Sequence, residues 1–125
     1  MASFRKEVIK KITILTTQGV DTSRFYPEMV IASATTDLIE KKLVFNYLSI
    51  YSQLNADFAR MAINTFTKDS NSPNPNIRAL AIRNLSNLRF KGREEYVMPI
   101  LKRGLDDFSP TVRKACLMGM AKLIN

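Results

Sequence analysis

The 125-residue sequence contains no histidine, no tryptophan and a single cysteine, Cys116. A single cysteine excludes an internal disulfide. Because histidine is absent as well, zinc sites built from His and Cys ligands are also excluded. Catalytic pairs of serine or cysteine with histidine are excluded for the same reason. The near absence of cysteine fits a reducing, cytosolic setting.

Glycine and long apolar runs are also scarce. The four glycines are scattered, so the sequence has no Gly-rich phosphate-binding loop. No apolar stretch approaches the ~20 residues that span a bilayer, and the N-terminal segment lacks the apolar region and cleavage site of a signal peptide. Met1 to Ser3 is consistent with an expression scar.

Carboxylate chemistry is the one catalytic class that composition leaves open. The candidates are two adjacent pairs, Glu94–Glu95 and Asp106–Asp107. Neighbouring residues on a helix do not face each other, so neither pair is arranged for acid–base work. We interpret both pairs as solvated and predict a protein that is not an enzyme and uses no metal or cofactor.

The net charge is the most unusual bulk property. Nineteen Lys and Arg residues outnumber eleven Asp and Glu residues, which gives +8 at neutral pH. An excess of this size favours anionic partners, namely nucleic acid, acidic protein or a phospholipid surface.

Two stretches of the sequence repeat each other. Residues 72–89 (SPNPNIRALAIRNLSNLR) and residues 109–125 (SPTVRKACLMGMAKLIN) align at an offset of 35 residues. The equivalent positions are Pro75 and Pro110, Ile77 and Val112, Arg78 and Arg113, Ala81 and Cys116, Leu85 and Met120, and Leu88 and Leu123. Their apolar positions have the spacing of one helix face. The proline before each run favours a helix start, because its missing N–H is not needed in the first turn.

Two further alignments extend the repeat. Residues 36–51 match at an offset of 37, with Lys41 at the place of Arg78 and Glu40 at the place of Ile77. The segments between these runs also superpose, at an offset of 39, with Phe58 on Val97, Met61 on Ile100, Ala62 on Leu101 and Phe66 on Leu105. Helix pairs therefore recur every 35 to 39 residues, a period typical of HEAT and armadillo arrays.

We predict an all-α fold, an α-solenoid of stacked helix pairs that forms a right-handed superhelix of about three repeats across residues 1–125. The first pair comprises a helix with Val8, Ile9, Ile12 and Leu15 inward, ended by Gly19, and a short helix near residues 27–34. Pro99 predicts a kink or a late start in its helix. Because the last helix is apolar on more than one face, we expect a fragment of a longer solenoid.

Several long motifs, in order, resemble the N-terminal trunk of the beta-adaptins, the large subunits of vesicle-coat adaptor complexes. The motifs are RKEVIKKI, TQGVDTSRFYPEMV, ATTDLIEKKLVFNYL, INTFTKDSNSPNPNIRALAIRNLSNLR and SPTVRKACLMGMAKL. The likeness runs from about Arg5 onward. TQGVD, ASATTD and EEYVMPIL are most similar to the beta subunit of adaptor complex type 4. The clathrin-associated types are next, and the coatomer beta subunit is more distant.

This resemblance implies a non-enzymatic scaffold in intracellular, vesicle-mediated protein transport. The full subunit would pair with a second large chain, a medium chain and a small chain. It would lie in the cytoplasm, peripheral on trans-Golgi and endosomal membranes, recruited by an Arf-type GTPase, and would take cargo through the whole complex.

The resemblance also implies two contact sites. Basic residues at matching positions in related chains contact phosphoinositide head groups, which assigns a membrane-binding role to Arg5, Lys6, Lys10 and Lys11. The alternative is a solvated face opposite the apolar one. The helix over residues 58–68 matches a stretch that Arf-type GTPases contact in related complexes. There Ile63 is the candidate apolar anchor, and Arg60 departs from the apolar residue usual at its position.

For Arg78 and Arg113 a structural role is favoured. An arginine at this point of a helical repeat holds neighbouring turns or carboxylates such as Asp69 or Asp107, and phosphate binding is the alternative. Cys116, equivalent to Ala81, is interpreted as a small core residue.

The competing function is a basic helical-repeat module that binds nucleic acid. Against it, acids are interleaved with the cations and no aromatic stacking platform is evident. We therefore expect no nucleic acid among the partners.

Overall fold

The computed structural model describes the backbone of residues 2–124 and the side chains of residues 5–124. Within this range the regular structure is helical and no strand occurs. The elements are α1 (Ala2–Thr17), a 3₁₀ turn (Ser23–Phe25), α2 (Tyr26–Ala32), α3 (Leu38–Tyr51), α4 (Ala56–Asp69), α5 (Pro75–Asn87), α6 (Arg93–Gly104) and α7 (Pro110–Ile124). The prediction of an all-α fold is confirmed. Of the suggested expression scar, Met1 lies outside the described residues.

The chain consists of two compact units. The first ends at Ala62 and the second begins at Ile63, so the boundary lies inside α4. In the first unit, α1 and α2 both pack against α3. In the second unit, α5 and α7 lie side by side, and α6 contacts both of them. Equivalent helices of the sequence repeat are thus packed together in the second unit, as the repeat requires.

The helix starts follow from capping residues. Asp37 precedes α3, and its carboxylate accepts hydrogen bonds from the amides of Ile39 (2.9 Å) and Glu40 (3.1 Å). The Asn74 side chain caps α5 through the Asn76 amide (2.8 Å), with Pro75 in the first turn. Each cap satisfies amides that have no partner within the helix.

Gly19 ends the first helix, as predicted. It has φ of +87°, in the left-handed region that glycine adopts without strain. The amide of Val20 donates to the carbonyl of Leu15 (3.0 Å) and the amide of Gly19 donates to Thr16 (3.1 Å). These two bonds form the Schellman arrangement that terminates many helices.

The core of the first unit is built around aromatic rings. Tyr26, Phe45 and Tyr47 are almost fully buried. The Tyr26 ring stacks on Phe58 with centroids 4.1 Å apart, and its hydroxyl donates to the carbonyl of Leu48 (2.7 Å). The first residue of α2 therefore fixes that short helix against its neighbours.

The core of the second unit follows the predicted stripes. The predicted inward residues of α5 are all buried, namely Ile77, Leu80, Ala81, Leu85 and Leu88. Their equivalents Val112, Cys116 and Leu123 are buried as well, whereas Met120 is half-buried. The periodicity therefore identifies the packed face.

Three details differ from the sequence predictions. Val8 is 41% exposed because the stripe that packs on α3 is narrow and centred on Ile9 and Ile12. The short second helix begins at Tyr26 and ends at Ala32. Pro99 does not delay its helix, since α6 starts at Arg93 and continues through it. Pro99 is exposed, so water can satisfy the carbonyl that loses its partner.

Close packing of α6 on α7 gives a first prediction. A Cβ at Gly104 would lie 2.2 Å from the Cys116 Sγ, so Gly104→Ala forces a shift in the core. We expect it to lower the free energy of unfolding by about 1–3 kcal/mol. Removing the sulfur in a Gly104→Ala/Cys116→Ala double variant makes room for the new methyl group. In urea denaturation, the double variant should lose less stability than the two single variants lose when their losses are added. A loss in the double variant equal to that sum would contradict the contact between Gly104 and Cys116.

Candidate docking surfaces

The repeat arginines Arg78 and Arg113 share one backbone arrangement. The Nη1 of Arg78 donates to the carbonyls of Ser72 (2.9 Å) and Pro73 (3.1 Å), which precede it by six and five residues. The Nη1 of Arg113 donates in the same way to Asp107 (2.7 Å) and Phe108 (3.1 Å). Each arginine therefore stabilises the turn before its own helix through hydrogen bonds to the backbone of that turn.

Arg78 makes a second contact that links its helix to the next turn. Its Nε and Nη2 donate to the two carboxylate oxygens of Asp107, at 2.9 and 2.8 Å. Both side chains are mostly buried, with 20% and 16% exposed. The hydrogen bonds from Arg78 hold the pKa of the Asp107 carboxyl below its usual range. This geometry is a structural clamp within the second unit.

Arg5 lies against a buried carboxylate. Its Nε donates to Glu40 Oε1 (3.0 Å), and its Nη2 donates to the Thr35 hydroxyl (3.3 Å). The Glu40 side chain is 5% exposed while that of Arg5 is 46% exposed. A buried carboxylate needs a charged partner, and Arg5 is that partner for Glu40.

The three lysines of α1 do not share one face. Lys6 and Lys10 are four residues apart and therefore lie on the same side of the helix. Lys11 is turned about 100° from Lys10. Lys10 and Lys11 are exposed and Lys6 is half-buried. The structure thus places Lys6 with Lys10 on one side of α1. Backbone hydrogen bonds lower the pKa of the Asp37 carboxyl, and Lys6, together with Arg5, lies near enough to help lower it.

The GTPase candidates lie on α4. Arg60 is exposed and forms an ion pair with Asp57, one turn earlier. Ile63 is half-buried, so part of its side chain is available to a partner and part is packed.

Cys116 and the acidic side chains are the candidate reactive groups. Within residues 5–124 no group of His, Cys, Asp and Glu side chains is placed to hold a metal ion. Cys116 is fully buried, and burial raises the pKa of its thiol to about 11. A thiol in that state is a poor nucleophile, so Cys116 is a core residue.

One basic cluster was missed from the sequence. The turn between α5 and α6 carries Arg89 and Lys91, α6 begins with Arg93, and Lys122 of α7 contacts this region. The available signal was local charge density in the stretch RFKGR, but Lys122 reaches the cluster only through the packing of the helices.

The positive charge is also divided unevenly between the units. Residues 63–125 contain eleven Lys and Arg against five Asp and Glu, so they contribute +6 of the net +8. Residues 1–62 contribute the remaining +2. The second unit therefore has the stronger electrostatic attraction for anions.

Across residues 2–124, none of the helices combines the length and hydropathy that crossing a bilayer demands.

Comparison with known proteins supplies the family. A family model described as the adaptin N-terminal region matches residues 2–125. The chain is 42% identical over 120 residues to mouse AP-4 complex subunit beta-1, which covers 96% of this chain and 16% of the relative. It is 39% identical over 118 residues to AP-4 complex subunit beta of Dictyostelium discoideum (94% of this chain, 14% of the relative). Human AP-1 complex subunit beta-1 is 42% identical over 119 residues (95% of this chain, 12% of the relative).

The chain therefore spans between 12% and 16% of the length of these relatives. The aligned segments nevertheless cover 94–96% of this chain. This chain belongs to the adaptin N-terminal family.

Proposed function

We propose that this chain is a segment of an adaptor complex beta subunit and acts as a non-enzymatic scaffold in intracellular, vesicle-mediated protein transport. The observation that carries the proposal is the family match over residues 2–125 together with relatives named as AP-4 and AP-1 beta subunits. Since the relatives are several times longer, sorting and cargo selection would belong to the longer protein and its complex.

The scaffold role is consistent with the packing. Each unit has a dense apolar core, and most charged side chains are left on the surface. Helical-repeat proteins present extended surfaces that bind other macromolecules, and this role needs no catalytic groups. The partners we propose are a second large, a medium and a small subunit, with residence on the cytosolic face of trans-Golgi or endosomal membranes.

Co-purification of the natural full-length protein tests this proposal. With an affinity tag at its C-terminus, the protein should isolate three further chains in comparable amounts, with masses of a large, a medium and a small adaptor subunit. Isolation of the tagged chain alone, or with nucleic acid in place of these chains, would count against it.

For membrane contact in the first unit, we propose Lys6 and Lys10 as the principal cations, with Lys11 at the flank. Each exposed cation near an anionic leaflet contributes about 1 kcal/mol, and this attraction falls off within a Debye length. Arg5 would contribute less, because its charge is already offset by Glu40 at 3.0 Å.

For the GTPase contact, we propose Ile63 as the apolar anchor and Arg60 as a neighbouring polar residue. Substituting Ile63 by Asp should weaken retention of the GTP-loaded GTPase by at least about tenfold, since burying an unpaired carboxylate in an interface is costly. Asn64→Asp is the matched control, because Asn64 is exposed and the charge change is identical. Equal binding of the parent and the Ile63→Asp variant, with unchanged circular dichroism, would remove this contact.

A further inference from the structure

Four cations cluster where α5 ends, α6 begins and α7 ends. We call Arg89, Lys91, Arg93 and Lys122 the basic turn cluster. Arg89, Lys91 and Lys122 are exposed, and Arg93 is half-buried.

Hydrogen bonds fix Arg93 and Lys122, while the other two members of the cluster are placed by the turn itself. The Arg93 guanidinium donates from Nη1 to the carbonyl of Leu88 (3.0 Å) and from Nη2 to the carbonyl of Lys122 (3.4 Å). The Lys122 ammonium donates to Asn87 Oδ1 (2.6 Å). The end of α7 is thereby fixed beside the turn, so the charges are presented together by packed elements.

The cluster differs from the other strongly placed arginines in its lack of acidic partners. Arg5 and Arg78 are each paired with a carboxylate. No ion pair to a carboxylate involves any member of the basic turn cluster within residues 5–124. The charges of the exposed members, Arg89, Lys91 and Lys122, are therefore not offset by an ion pair and can attract an anion.

A recess beside the turn brings carboxylates close to the cluster. Its volume is about 440 Å³, and it is lined by Arg89, Phe90, Gly92, Arg93, Glu94 and Glu95. The two glutamates are exposed and oppose the cations. The recess lining itself holds two cations, Arg89 and Arg93, and two carboxylates. Lys91 and Lys122 lie outside the lining and leave the region as a whole with an excess of two positive charges.

We propose that the basic turn cluster is a second membrane-contact site, which binds the phosphate groups of an acidic phospholipid surface. The inference rests on the proposed function, which brings the chain to a membrane. Guanidinium and ammonium groups bind phosphate oxygens through charge-assisted hydrogen bonds. An acidic protein segment fits less well, because specific protein interfaces need a buried apolar centre. The one aromatic ring of the recess, Phe90, is half-buried and lies edge-on to Tyr96 at 6.1 Å.

Vesicle sedimentation tests the site. The probes are phosphatidylcholine vesicles with and without phosphatidylserine or a phosphoinositide. The Arg89→Glu/Lys91→Glu variant should bind acidic vesicles at least about 30-fold more weakly than the parent chain, since each cation contributes about a factor of five. The matched control is Lys102→Glu/Lys114→Glu, which makes the same charge change at two exposed lysines of the same unit and should change binding by less than about threefold.

A change of opposite sign sharpens the test. Glu94→Gln/Glu95→Gln removes the two carboxylates that line the recess, so it should strengthen binding to acidic vesicles by several-fold. Inorganic phosphate at matched ionic strength should compete poorly, because a free ion lacks the many headgroups of a surface. Strong competition by free phosphate would indicate that the ligand is a soluble anion and not a membrane surface, and this result would overturn the inference.

Further results would also overturn it. Equal loss in the Arg89/Lys91 variant and its control would show that net charge alone governs binding. Loss confined to a Lys6→Glu/Lys10→Glu/Lys11→Glu variant would locate the membrane contact on α1 only. No drop in that variant would end the α1 proposal instead. Absence of binding to acidic vesicles would end both membrane sites. None of these outcomes affects subunit co-purification, which tests the proposed function separately.

Discussion

Replacing Tyr26 by alanine is expected to lower the free energy of unfolding by about 3–5 kcal/mol. The side chain is fully buried, stacks on Phe58 at 4.1 Å and lies 5.8 Å from Tyr47. Removing the ring opens a cavity at the centre of the first unit, where α2 meets α3. A domain of this size has a total stability of only about 5–15 kcal/mol, so this variant should be close to unfolding at room temperature.

The hydroxyl contributes a smaller, separable part. It donates to the carbonyl of Leu48 at 2.7 Å, with the carbonyl of Phe58 at 3.2 Å, and burial raises the pKa of Tyr26. Tyr26→Phe keeps the ring and should cost about 1–2 kcal/mol. Tyr96→Ala is the control for ring removal, since Tyr96 is 42% exposed. Urea denaturation followed by circular dichroism should show a larger loss of stability for Tyr26→Ala than for Tyr26→Phe or for Tyr96→Ala. An equal loss for Tyr96→Ala and Tyr26→Ala would contradict the packing described.

Replacing Arg78 by methionine is expected to cost about 2–3 kcal/mol, because it breaks a bidentate ion pair and leaves Asp107 partly buried without its partner. Arg113 provides a matched comparison. It makes the same two backbone bonds from Nη1. Within residues 5–124 it forms no ion pair with a carboxylate, although its charge also helps to lower the pKa of Asp107. Arg113→Met should therefore cost only about 1 kcal/mol. Similar losses in the two variants would show that the direct contact between Arg78 and Asp107 adds nothing.

The pH dependence follows from the lowered pKa of Asp107. A carboxyl whose pKa is lower in the folded state stabilises the fold above its unfolded pKa, which is about 3.9, and this contribution is lost as the pH falls through the folded value. The stability difference between the parent and Arg78→Met should thus stay constant from about pH 7 to pH 5. It should shrink below about pH 4, and a constant difference down to pH 2 would contradict the role of Asp107.

The sequence predicted the helices well where local signals and the repeat agreed. Pro75 and Pro110 mark the starts of α5 and α7, and the apolar stripe from Ile77 to Leu88 is buried as its spacing indicated. Both features depend on short-range chemistry, namely the missing amide of proline and the period of the helix. Gly19 is a similar case, since few other residues adopt its backbone conformation.

Contacts between distant residues were less accessible to sequence reasoning. Glu40 replaces an apolar residue in the weak repeat copy, yet it is buried because Arg5, 35 residues earlier, neutralises it. Basic residues on α1 looked equivalent in the sequence, but this pairing distinguishes Arg5 from Lys10. Lys122 likewise joins the basic turn cluster through packing of α7. The charge of a side chain is local information, whereas its partner is decided by the tertiary fold.

The proposed role of this chain is that of a beta-subunit segment that supports assembly of an adaptor complex. A chimera tests it most directly, with residues 5–124 in place of the matching segment of mouse AP-4 complex subunit beta-1. Co-expressed with the other chains of that complex, the chimera should be recovered by native mass spectrometry in an intact assembly, while the same chimera carrying Tyr26→Ala should not. A soluble, folded chimera that remains unassembled would contradict the account.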